Sequence, residues 1–247
     1  FQPKVDMRDG ALIGCEALVR WNHPTRGLLM PGSFIPFFER NGSVVEVDLY
    51  IYELVCRTVR EWLDRGMNVN PVSCNFSSLH FDSPDFPELA AAIADRHNVP
   101  HALLELEITE SAIMRNPQIV CAQVLRLKER GFMIAIDDFG SGYSSLGQLQ
   151  QLMADVLKLD RSFVRRGMFG TRERIVISNV IHMAGELGMQ VICEGVENAK
   201  QAEMLIELGC YYAQGFYYAK PMPKDAFEGL LEKGNVPHGE EIRNGAS

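Results

Sequence analysis

Apolar positions along the chain fall into short runs with a period of two, separated by longer stretches of helical periodicity. The short runs occupy Phe1–Met7, Leu12–Trp21, Val72–Phe76, Leu103–Ile108, Phe132–Ile136, Val156–Leu159, Gln190–Cys193 and Cys210–Ala213, and they predict strands. Between most of them, helices start and stop on recognisable signals. Asn116-Pro117 offers an N-cap and a first-turn proline, Val120, Val124 and Leu127 share a face, and Gly131 is the stop. Thr171 precedes a stripe of Val176, Val180, Ala184 and Leu187 ended by Gly188, while Asn198 with Gln201 has the pattern of a capping box ahead of Leu205, Leu208 and Gly209. Eight strands alternating with helices predict a parallel barrel, with a doubly wound sheet as the alternative. The first two runs break this pattern. Only the turn Arg8-Asp9-Gly10 separates them, so one of the two should run antiparallel. Residues 1–232 read as one barrel domain, and the polar, glycine-bearing residues 233–247 as a tail or linker.

Parity along each strand then sorts side chains between two faces. In "GCEALVRW", Glu16, Leu18 and Arg20 oppose Cys15, Ala17 and Val19. Asn75 opposes Cys74 and Phe76, and Glu105 and Glu107 oppose Leu104, Leu106 and Ile108. Asp137 opposes Ile134 and Ile136, Lys158 opposes Leu157 and Leu159, Glu194 opposes Cys193, and Gln214 opposes Ala213. With the apolar set against the helices, the polar set points to the barrel axis near the strand ends, where barrels build their active sites. Carboxylates crowded in this way must share protons or hold cations. An oxygen donor set without histidine favours Mg²⁺ or Mn²⁺ over zinc or copper. Asp137 followed directly by Asp138 suits two ions roughly 3.5–4 Å apart, an arrangement that activates water and steadies phosphoryl oxygens. Lys158 would then stand beside the attacking water or the developing charge.

Composition narrows the partners. The net charge is −8 and no block of lysine and arginine occurs, which argues against polymeric nucleic acid. No apolar run reaches the roughly 18 residues of a membrane-spanning helix, so no direct membrane contact is expected of this domain. Cys15, Cys56, Cys74, Cys121, Cys193 and Cys210 show neither C-x-x-C pairing nor zinc spacing, and they read as reduced thiols of a cytoplasmic domain. The chain opens on Phe1-Gln2-Pro3 without an initiator methionine or signal peptide, as a domain cut from a longer and conceivably membrane-anchored polypeptide does. "DFG" at Asp138–Gly140 lacks the other kinase motifs, and neither a phosphate loop nor a G-x-S-x-G elbow occurs.

Taken together, "EALVRW" (Glu16–Trp21), "NFS" (Asn75–Ser77), "ELEITES" (Glu105–Ser111), "DDFGSGYSSL" (Asp137–Leu146), "KLDRSFV" (Lys158–Val164), "EGVE" (Glu194–Glu197) and "QGFYYAKPM" (Gln214–Met222) resemble the EAL-domain cyclic di-GMP phosphodiesterases. The resemblance runs from Phe1 to about Leu231. It implies a modified TIM (βα)8 barrel with one antiparallel strand, and metal-dependent hydrolysis of cyclic di-GMP to linear pGpG in bacterial second-messenger signalling. It also implies that Glu16, Asn75, Glu107 and Asp137 ligate one Mg²⁺ or Mn²⁺, and that Asp137 and Asp138 hold a second, with Glu194 as a ligand or water-activating base. Lys158 would contact the nucleophilic water. Gln2, Leu18, Arg20 and Gln214 would meet the dinucleotide or its solvent, with Arg20 on a phosphate, and Glu110 would pin the glycine-rich loop. Ca²⁺ is expected to support binding and inhibit turnover. A homodimer, and fusion to GGDEF or sensor domains, are implied as well. Two departures stand out: Ser141 replaces the common threonine, and Ser78 the common arginine. A cyclic di-GMP receptor without turnover is the alternative function, and the intact acids with Lys158 favour the enzyme.

Overall fold

The computed structural model describes residues 1–140, 150–165 and 170–236. Eight strands close a barrel: β1 (Gln2–Asp6), β2 (Leu12–Ala17), β5 (Val72–Asn75), β6 (Leu104–Thr109), β7 (Met133–Phe139), β8 (Val156–Leu159), β9 (Gln190–Glu194) and β10 (Tyr212–Gln214). The order around it is β1-β10-β9-β8-β7-β6-β5-β2. Strand β1 runs antiparallel to both of its neighbours, β2 and β10, and the other pairings are parallel. The hairpin inferred from "RDG" is present, and its first strand is the reversed one. Reversal brings the start of β1 to the mouth formed by the other strands' C-terminal ends, with Gln2 paired to Glu16.

Two short strands, β3 (Trp21–His23) and β4 (Gly27–Leu29), form a separate hairpin. Trp21 belongs to it rather than to the end of β2; the period-two run simply continues across the break. Around the barrel lie α1 (Ile35–Asn41), α2 (Val44–Asp64), α3 (Phe86–Arg96), α4 (Glu110–Arg115), α5 (Pro117–Glu129), α6 (Ser162–Arg165), α7 (Thr171–Glu186), α8 (Ala199–Glu207) and α9 (Lys224–Lys233). Helix α5 buries Val120, Val124 and Leu127 as its spacing predicts, and the Asn198–Gln201 capping box is formed at the start of α8. Helix α7 corrects its predicted stripe. Val176 is 53% and Leu187 39% exposed, whereas Ile177, Ile181 and Ala184 are buried. Three successive apolar residues, Ile175 to Ile177, leave the buried face ambiguous by one step of about 100°, and the structure takes the later register.

Cys15, Cys74 and Cys193 face the helix layer among the main core residues, and all six cysteines are free of disulfides. Inside the barrel, Ala135, Val156 and Ile192 form a small apolar floor with Met133 and Tyr212 against it. Polar side chains occupy the space above. After α9, Asn235 bridges to Ala11 and Val236 is buried, so packing continues past position 232. No helix among the described residues is long and apolar enough to cross a membrane.

Candidate active site

Hydrogen bonds and ion pairs join most of the parity-selected polar residues to one another. Lys158 is fully buried at the centre. Its Nζ lies 2.7 Å from Glu107, 2.8 Å from Glu194, 3.1 Å from Asp137 and 3.4 Å from Glu16. Glu16 is held from two further sides, by Asn75 Nδ2 and Gln214 Nε2, each donating at 2.6 Å. The Gln214 amide also donates to Gln2 Oε1 at 3.1 Å, while Gln2 donates to the carbonyl of Ala219 at 3.2 Å.

Asp138 escapes simple alternation. The β7–β8 register shifts between Ile136 and Phe139, and Asp138 takes φ 55°, left-handed backbone that a side chain rarely adopts. Its own N–H donates to Asp137 Oδ1 at 2.9 Å. This bulge aims successive carboxylates at one place: oxygens of Asp137, Asp138 and Glu194 all lie within 4.8 Å of one another. Backbone strain of this kind persists where the surroundings over-determine it, commonly at functional sites.

Electrostatics divides the acids. Burial opposes ionisation of Glu107, but Lys158 and Lys4 outweigh it and pull its carboxyl down to about 2. Burial pushes Asp137 up to about 8 despite Lys158, with Glu107, Glu194 and Glu16 adding repulsion. Burial likewise raises Glu194, and partial burial with nearby Asp160 raises Asp138. Burial alone would lower Lys158; Glu107, Glu16, Glu194 and Asp137 more than reverse it, so the ammonium is held firmly. The mouth therefore holds a surplus of carboxyl groups over its one lysine, and burial keeps the Asp137 carboxyl protonated near neutral pH in the absence of a cation. Gln214 Oε1 is buried with no hydrogen-bond partner beside this surplus. A crowded all-oxygen donor set with an unsatisfied amide oxygen fits hard divalent cations, which would displace the protons the acids otherwise hold.

A cavity of about 290 Å³ opens above the acids, bounded by Gln2, Glu16, Leu18, Asp137, Glu194 and Gln214. Arg161, Glu197 and Phe216 also line it. Sequence reasoning did not select these three, which follow the strand ends and so have no parity signal. Arg20, half-buried, lines a different cavity of about 280 Å³ that has only Leu18 in common with this one, and its Nη1 donates to the Val19 carbonyl at 2.8 Å. Glu110, buried at the start of α4, accepts from the Gly140 N–H at 2.7 Å, while Thr109 caps the helix by accepting from Ala112 N. Gly140 has φ 94°, and a Cβ there would stand 2.1 Å from the Phe163 ring, so only glycine fits this turn. The following residues 141–149, including Ser141 and most of the glycine-rich loop, lie outside the described residues.

The EAL domain family model matches residues 1–221. The chain belongs to the EAL-domain family. This EAL domain is 37% identical to the bifunctional diguanylate cyclase/cyclic di-GMP phosphodiesterase MucR of Pseudomonas aeruginosa over 225 residues, 91% of this chain and 33% of that protein. It is 31% identical to the oxygen sensor protein DosP of Escherichia coli over 94% of this chain and 29% of that one. The chain thus spans about a third of the length of the curated relatives it matches. Among solved structures, the P. aeruginosa MucR phosphodiesterase in complex with cyclic di-GMP superposes with a TM-score of 0.87 at 37% identity, covering 92% of each chain. The EAL domain of Mycobacterium smegmatis DcpA gives 0.82 at 33%, covering 96% of this chain and 97% of that one. The modified TIM barrel expected from the sequence is the fold found.

Proposed function

We propose that this domain hydrolyses one phosphodiester bond of cyclic di-GMP to give linear pGpG. The observation that carries the reading is the convergence of Asp137, Asp138 and Glu194, the first and last also paired with Lys158, at a cavity bounded by Gln2, Leu18 and Gln214. The likeness to the MucR phosphodiesterase in its cyclic di-GMP complex supports the substrate.

Glu16, Asn75, Glu107 and Asp137 would hold one Mg²⁺ or Mn²⁺, and Asp137 and Asp138 a second with Glu194 nearby; when bound, such a pair polarises the phosphoryl group and makes water a stronger acid. Glu194, its carboxyl already raised by burial, accepts the proton of the attacking water. Lys158 donates to that water and opposes the negative charge that grows on phosphorus. The water oxygen bonds to phosphorus as the P–O3′ bond breaks, and the departing O3′ gains a proton, returned by way of Glu194 or solvent, so that pGpG carries a 5′-phosphate and a free 3′-hydroxyl. Gln2, Leu18 and Gln214 seat the dinucleotide, and Arg20 turns from the Val19 carbonyl to a phosphate. Glu110 holds Gly140, the first glycine of the glycine-rich segment, through its N–H. Homodimerisation, and fusion to GGDEF or sensor domains in the full-length protein, belong to the same proposal.

Purified domain given cyclic di-GMP with Mg²⁺ or Mn²⁺ should yield pGpG by chromatography, and EDTA should abolish it. Ca²⁺, larger and more flexibly coordinated, should sustain binding while blocking turnover. Tight binding without pGpG under every metal condition would refute hydrolysis and leave a receptor.

A further inference from the structure

Beneath the catalytic mouth lies a buried ion cluster that the chemistry above does not use. Lys4, on the reversed strand β1, is 3% exposed, and Glu105 and Ser73 are as deeply buried. Lys4 Nζ donates to Ser73 Oγ, to Glu105 Oε1 at 2.6 Å and to Glu107 Oε1 at 3.1 Å. Ser73 in turn donates to Glu105 Oε1 at 2.6 Å. The lysine stem runs over Gly14, its cross-strand partner, where a Cβ would stand 2.8 Å from the Pro71 carbonyl but in ordinary contact, 3.8 Å, with Lys4 Cδ.

Glu107 is consequently held at both oxygens, Oε1 by Lys4 from below and Oε2 by Lys158 at 2.7 Å from the mouth side. The two lysines differ in freedom. Lys158 divides its ammonium among four carboxylates, and it must release some of them when cations take those oxygens. Lys4 has Glu105 and Ser73 to keep it in place.

We propose that Lys4 is a positioning residue for Glu107: anchored by Glu105 and Ser73, it pins Oε1 so that Oε2 stays aimed at the mouth. This rests on the metal-site reading above. Glu105, although a carboxylate two residues before a ligand on the same strand, is then the anchor of Lys4 and no ligand itself. Partners that orient a ligating carboxylate are typically worth roughly 10–100-fold in metal affinity or activity.

Lys4→Met alone strands Glu105 as an unpaired buried charge, and that variant can fail to fold. Lys4→Met/Glu105→Leu removes the pair together, a replacement that is often neutral for stability; Ser73→Ala loosens the anchor without changing charge. Mn²⁺ affinity by calorimetry, without nucleotide, is read beside the melting temperature in EDTA and the Mn²⁺ dependence of turnover. The double variant should melt near wild type, bind Mn²⁺ roughly 10–100-fold more weakly, and recover part of its turnover at high Mn²⁺. Ser73→Ala should shift the affinity in the same direction by a smaller factor. In a Glu107→Gln background, the double substitution should have no further effect on affinity. Wild-type Mn²⁺ affinity in a folded double variant, or in Ser73→Ala should the double variant not fold, overturns the role of Lys4 alone. Failure of the wild type to bind Mn²⁺ overturns the metal site and this inference with it.

Discussion

Lys158→Met is the most direct test of how the barrel tolerates so many buried acids. The substitution keeps the length of the stem but removes an ammonium lying between 2.7 and 3.4 Å from Glu107, Glu194, Asp137 and Glu16. Removing one partner of a buried pair typically costs ~3–5 kcal/mol, because the remaining charge is stranded. For a domain of this size each kcal/mol moves the melting temperature by about 2–4 °C, so a fall of roughly 6–20 °C is expected in EDTA near neutral pH. The stranded carboxylates would hold protons more tightly in the folded state than in the unfolded one. Stability is then present at low pH and lost as pH rises, so the deficit should shrink at about pH 5.5. Mn²⁺ should shrink it too, by supplying the missing positive charge. Turnover should nevertheless stay down by roughly 100-fold or more, since a donor to the developing charge is gone. Calorimetric melts at two pH values, with EDTA or Mn²⁺, beside chromatographic assay of pGpG, read all of this. A variant that melts like wild type in EDTA, or whose deficit ignores both acid and Mn²⁺, would refute the view of Lys158 as the counter-ion of the empty acids.

Other outcomes follow from the same geometry. Glu110→Ala removes the acceptor of the Gly140 N–H but leaves the Thr109 cap intact; turnover should fall and recover in part as Mn²⁺ is raised, and an unaltered metal dependence would reduce Glu110 to a structural role. Glu194→Gln should lower kcat by roughly 10²–10⁴-fold with little change in cyclic di-GMP affinity, and calorimetric affinity falling in step with kcat would make Glu194 a ligand contact instead. Asp137 sits at about 8 in the fold against an ordinary 3.8, so its contribution to metal-free stability is complete below about pH 4 and lost as pH rises through about 8. A metal must displace that proton, and the gain in melting temperature from Mn²⁺ should therefore grow between about pH 6 and 8; a gain independent of pH would contradict the assignment.

Much of the barrel was legible because its two faces make opposite demands. Apolar residues such as Cys74, Leu157 and Cys193 pack against helices, and their neighbours Asn75, Lys158 and Glu194 are left facing inward. Alternation over four to six residues is enough to show that split. The hairpin was legible for a different reason, since three residues cannot return a parallel strand. Helix α7 shows where periodicity fails: Ile175, Val176 and Ile177 are all apolar, and only the barrel surface decides which of them it covers.

What parity could not supply was anything fixed by closure of the barrel. Asp138 should have pointed away from Asp137, and only the shifted register against β8 turns it back. Lys4 and Ser73 have inward parity as clear as that of Glu16, yet a lysine near the chain start and a lone serine resemble solvated surface positions until a partner is known. That partner is remote in sequence: Lys4 meets Glu105 across 101 positions, and the two strands that carry them are not neighbours in the barrel. Such a contact exists only because the sheet closes and its interior is narrow enough for side chains to meet across it. A carboxylate there cannot be read as ligand or counter-ion from its own strand. Glu105 and Glu107 share a face and a chemistry, and they are told apart by the lysine that reaches them from β1.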